Sequence, residues 1–75
     1  MCLLHMKVGE TAAVDAINVN AALRARLIAM GLTKDARVCV KHYGWFKSTV
    51  QVMINRTLVA LRRDEAALIE VHRIA

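Results

Sequence analysis

Seventy-five residues make one small domain, which buries only about 60% of the surface its unfolded chain exposes and leaves no room for a deep substrate cleft. The hydrophobic fraction is 57%, with one tryptophan, one tyrosine, one phenylalanine and no proline, so the apolar content is aliphatic and exceeds what a thin core absorbs; a partner or a second copy is expected to cover the rest. The formal charge of +5 is scattered from Lys7 to Arg73, and its one adjacent pair, Arg62-Arg63, is followed at once by Asp64-Glu65, which reads as a solvated surface and not as a nucleic-acid face.

In chain order, residues 2–6 are a short apolar lead-in that tucks Leu3 or Leu4 against the core, and Lys7-Val8-Gly9-Glu10 is a turn. Thr11–Ile17 alternates loosely and predicts a first strand, with Ala13 or Val14, Ala16 and Ile17 as its apolar members. Residues 20–32 carry a helical pattern. Leu23, Leu27 and Met30 recur at spacings of four and three on one face, and Ile28 widens the stripe. Asn20 stands at the N-cap and Gly31 at C′, where a left-handed conformation is needed. A helix of about ten residues is marginal alone in water, so it must lie on something else.

After a polar connector, residues 37–41 alternate with Val38 and Val40 inward, and residues 42–49 are a loop bending at Gly44. Residues 50–54 form another alternating strand, Asn55-Arg56 a tight two-residue turn, and residues 57–61 the returning partner. A helical turn over 62–66, with Asp64 and Glu65 at its N-terminal end, leads to a last strand over 68–74. The pattern is mainly β: five short antiparallel strands, one helix between the first and second, and a bent sheet closing as a small barrel with the helix over one opening.

Chemistry is scarce. Cys2-x-x-His5 and Cys39-x-x-His42 resemble two halves of a tetrahedral zinc site. On a continuous strand, however, Cys39 and His42 would face opposite sides of the sheet, and Cys2 and His5 lie on a terminus expected to fray. A Ser48–His42–Asp triad is possible only on paper, Gly9, Gly31 and Gly44 are isolated, and Asp64-Glu65 suits a helix start. No catalytic residue, cofactor or metal ligand is assigned, and no enzyme is expected. Two cysteines are too few for a disulfide framework, and no segment approaches the ~20 apolar residues of a membrane span. With no secretory signal in view, a cytoplasmic location is expected.

What remains is surface. Tyr43, Trp45 and Phe46 concentrate the aromatic area in one loop, the kind of anchors that interfaces use. Trp45 is read as a partner contact; the competing reading folds it back as a lid over the barrel end. Met30 and Leu32 are added to the patch, although core positions suit both.

The run Leu27-Ile28-Ala29-Met30-Gly31-Leu32, with Ala60-Leu61-Arg62-Arg63 continuing through Ala66 to Ile69-Glu70-Val71, resembles the FeoA family of bacterial ferrous-iron transport, and the likeness spans nearly the whole chain. The resemblance implies an SH3-like β-barrel. It also implies a non-enzymatic role, binding or regulating the membrane transporter FeoB through its cytoplasmic GTPase part. Lys34-Asp35 stands where the family often has Pro-Gly, and Lys47-Ser48-Thr49 replaces its Gly-Asp-Pro loop. The alternative is an SH3-like docking module related to the C-terminal domain of iron-dependent transcription repressors. Self-association is a further expectation.

Overall fold

The computed structural model describes residues 1–74. Alternating aliphatic segments form five strands: β1 (Thr11–Ile17), β2 (Arg37–Tyr43), β3 (Thr49–Ile54), β4 (Thr57–Arg62) and β5 (Ile69–Arg73). Helix α1 (Ala21–Ala29) joins β1 to β2, and a one-turn helix, α2 (Arg63–Ala66), joins β4 to β5. The strands form one antiparallel sheet of order β4-β3-β2-β1-β5. The first four are thus a meander, and β5 returns to pair with the free side of β1.

The inward positions of every strand converge on one core. Val38 and Val40 from β2, Val50, Val52 and Ile54 from β3, and Ile69 and Val71 from β5 are buried together with Val14. At about 25 cal/mol per Å² of apolar surface, this shared burial is what holds so short a sheet in its curl. Bulges help it bend: the register shifts between Val14 and Ala16 in β1 and between Val40 and His42 in β2. Between β3 and β4, Asn55 (φ 48°) and Arg56 (φ 73°) both take left-handed conformations, the type I′ geometry that matches strand twist.

The N-terminal lead-in is part of the sheet. Val71 N–H donates to the Met1 carbonyl at 2.7 Å, and Cys2 bridges Glu70. Residues 1–2 therefore line the outer edge of β5 instead of fraying, because that edge offers unpaired backbone groups. The turn that follows (Leu3–His5) buries Leu3, and Met6 is buried beside it.

Helix α1 begins as its sequence dictates. The Asn20 side-chain oxygen accepts the Leu23 N–H at 2.9 Å, and the helix ends at Gly31, whose φ is 99°. Its first turns share a depression with Glu65, Arg24 donates to the Ile17 carbonyl at 2.7 Å, and Gly31 abuts Asn55 and Ile54, so the helix lies against the end of β1, α2 and the β3–β4 turn. The expected apolar stripe is only partly used. Leu27 is buried and Leu23 packs half-buried on the core, but Ile28 and Met30 are 46% and 38% exposed. A short cylinder resting on a rounded barrel touches it along a line, roughly one residue per turn, so the flank of the stripe stays in water. Replacing Asn20 with alanine should remove about 1 kcal/mol of stability, read from urea denaturation; an unchanged midpoint would show that the cap contributes nothing.

Candidate partner-binding surface

The end of β2 decides what the following turn presents. Val40 pairs with Val52, but His42, not Lys41, pairs with Gln51, so Lys41 is the extra residue. Val40 points inward, Lys41 and His42 are both exposed, and Tyr43 packs against the core. The expected opposition of Cys39 and His42 is therefore corrected: the strand is longer than the alternation suggested, and its bulge turns both outward.

Inward-facing, Tyr43 acts as a latch. Its hydroxyl donates to the Met6 carbonyl at 2.5 Å, with the Leu3 and Leu4 carbonyls at 3.4 Å. Burial pushes its phenol above the ordinary value, and the nearby Cys2 and Glu10 add to the shift. The Lys47 ammonium lies 4.7 Å from the centre of the same ring and donates to the Leu4 carbonyl at 2.9 Å. Ring, ammonium and lead-in turn thus close on one another.

Between Tyr43 and Thr49 the chain makes a tight turn, not an open loop. Gly44 N–H donates to the Thr49 carbonyl at 2.9 Å, and Lys47 and Ser48 N–H donate back to Gly44 and Trp45 at 3.0 and 2.9 Å. From α2, Arg63 donates its backbone N–H to Ser48 and its guanidinium to the Phe46 carbonyl, both at 3.0 Å. Phe46 and Lys47 are held at φ 52° and 58°, a conformation that costs about 1–2 kcal/mol per L-residue and persists because the surroundings over-determine it.

The outcome is two aromatic side chains aimed at solvent. Trp45 and Phe46 are 84% and 87% exposed, with ring centroids 6.1 Å apart and planes tilted by 48°. Trp45 is no lid. Beside the rings runs an open groove of about 900 Å³, lined also by Arg62, Arg63, Asp64 and Ala67. Of the five residues singled out in sequence, only Trp45 and Phe46 meet there. Leu32 is fully buried and belongs to the core, because the chain turns inward straight after Gly31. Tyr43 is the support beneath the turn, and Met30 is exposed at the far end of α1, outside the groove.

Other polar pairs escaped sequence reading because only strand register brings them together. Asp15, the extra residue of the β1 bulge, meets His72 Nδ1 at 2.5 Å. Glu10 accepts Lys7 N–H at 2.6 Å and Arg73 Nε at 2.8 Å; these bonds, the backbone one foremost, hold its carboxyl below the usual range. Among the described residues no three His, Cys, Asp or Glu side chains are grouped to hold a metal ion, and no hydrogen bond links Ser48, His42 and an aspartate. Among the same residues no helix is long and apolar enough to cross a membrane.

The turn depends on the absence of a side chain at Gly44, where a Cβ would overlap the Thr49 hydroxyl. Gly44→Ala should lose about 1–3 kcal/mol, and adding Thr49→Ala should restore most of it. Urea denaturation of both variants checks this; no rescue would mean that the strain lies elsewhere.

Comparison with known proteins agrees with this architecture. The FeoA domain model matches residues 1–73. The putative Fe(2+) transport protein A of Campylobacter jejuni is 32% identical over 74 residues, 99% of this chain and all of that protein. The solution structure of FeoA from Chlorobium tepidum superposes with a TM-score of 0.95 at 33% identity, covering all of this chain and 71% of that one. FeoA from Stenotrophomonas maltophilia, solved with zinc and described as a prokaryotic SH3 domain protein, gives 0.81 at 26% identity over 96% of this chain and 89% of that one. A manganese-dependent transcriptional repressor shares the fold alone: its TM-score is 0.85 at 22% identity, and 99% of this chain covers 36% of it. With its bent five-stranded sheet, its single longer helix and a family match over residues 1–73, this SH3-like chain belongs to the FeoA domain family.

Proposed function

We propose that the chain is a single FeoA-like domain over residues 1–75 that serves bacterial ferrous-iron uptake as a non-catalytic accessory protein. It acts in the cytoplasm, and it docks through the Trp45–Phe46 turn onto the cytoplasmic GTPase part of an FeoB-like membrane transporter. The observation that carries this reading is the pair of rings, 84% and 87% exposed, on a turn held in left-handed conformations. Exposed apolar area of that kind is costly in water unless something covers it. A turn already ordered loses little entropy when it binds, so its contacts convert into affinity efficiently. Such a role needs no reacting group, no cofactor and no nucleic acid.

Central aromatic anchors commonly account for 2 kcal/mol or more of an interface, about a thirtyfold change in affinity. Trp45→Ala and Phe46→Ala should therefore each weaken binding to the isolated GTPase domain of the organism's own transporter by roughly that factor, measured by calorimetry. Met30→Ala, outside the groove, should bind as the parent does. Undiminished binding by both aromatic variants would remove this turn from the interface.

A further inference from the structure

Resting on the docking reading above, we infer that the groove beside Trp45 takes an acidic segment that carries one large apolar side chain. The charge of the groove points to it. Arg62 and Arg63 line it against a single carboxylate, Asp64, and among the described residues neither guanidinium is in an ion pair. Glu65, the neighbouring acid, is occupied: its carboxylate accepts the Arg62 backbone N–H at 2.9 Å. Arg63 is oriented by its bond to the Phe46 carbonyl, which leaves further N–H groups of a planar fork free to meet a carboxylate.

The apolar half of the requirement comes from the rings and Ala67, with Ser48 and Thr49 completing the groove wall. The rings do not suit a nucleic-acid base. Tilted by 48° with centroids 6.1 Å apart, they already touch one another and leave no parallel slot between them. Arg62 and Arg63 are the only cations that line the groove among the described residues, and Lys47 of the same turn is engaged by the Tyr43 ring and the Leu4 carbonyl, so the basic lining does not form a phosphate-tracking stripe. An extended or helical peptide with an apolar anchor beside carboxylates satisfies both walls at once.

Trp45 is the chain's one tryptophan, so its own fluorescence reports occupancy. The probe is an acetylated, amidated nonapeptide with a central phenylalanine flanked by glutamates, set against its glutamine and lysine analogues and against a decathymidylate. The glutamate peptide should shift the emission to the blue saturably. The glutamine peptide should bind about fivefold more weakly, the combined size of two exposed ion pairs. Arg62→Gln, which leaves the backbone cap of α2 intact, should weaken the glutamate peptide by about two- to threefold, one such pair, and leave the glutamine peptide unchanged.

Equal binding of the three peptides, preference for the lysine peptide or for the oligonucleotide, or a blue shift that grows with protein concentration alone would each overturn the inference. The two readings fail separately. If the GTPase domain needs Trp45 but the peptides are not discriminated, docking stands and the charge preference falls. If the peptides are discriminated but the GTPase domain is indifferent to Trp45, the charge preference stands and docking through this turn falls.

Discussion

Lys41 is the residue that β3 does not match, and the position of the exposed turn follows from it. Without the bulge, strict alternation would send Tyr43 outward. The one extra residue instead sends Tyr43 to the core side, where its hydroxyl reaches the Met6 carbonyl and its ring lies under the Lys47 ammonium. A single irregularity in pairing thus fixes the lead-in segment from one side and the turn from the other. Bulges commonly re-aim side chains near functional surfaces, and here two residues, one turned in and one turned out, carry the effect.

Rigidity of the turn has a second source. Arg63 opens α2 and simultaneously gives its backbone N–H and guanidinium to the turn. The helical turn between β4 and β5 is therefore both a connector of the sheet's last strands and a clamp on its most exposed loop. The two aromatic rings stand on a base whose hydrogen bonds are already made, so a partner meets a shaped surface and does not have to order one. The same economy explains the tied N-terminus: residues 1–2 satisfy the outer edge of β5 that a barrel of this size would otherwise leave open.

Strand positions, the Asn20 cap, the Gly31 stop and the Asn55-Arg56 hairpin were legible in the chain, because each rests on a local rule: period, capping geometry or positive φ. The inward valines of β2 and β3 were legible for the same reason. What was hidden depends on register. No periodicity announces a bulge, so alternation alone sets Cys39 against His42 and offers Tyr43 to a partner, yet Tyr43 packs on the core; Leu32, added to the patch although a core position suits it, takes the core position. Met30 and Ile28 lie on a helical stripe that the sequence reads as buried, yet the barrel's curvature leaves them exposed. The Asp15–His72 contact, 57 positions apart in the chain, could be found only once β1 and β5 were aligned.

The chain belongs to the FeoA domain family, and the docking proposed for it rests on a turn that is exposed and rigid at once. Backbone 15N relaxation measures that combination most directly. Order parameters for residues 44–49 are expected near the 0.85 or so of rigid backbone, equal to those of the flanking strands, with the Trp45 indole fully accessible to a soluble quencher. Order parameters below about 0.6 across the turn, or an indole shielded from quencher in the free protein, would contradict a preformed docking surface.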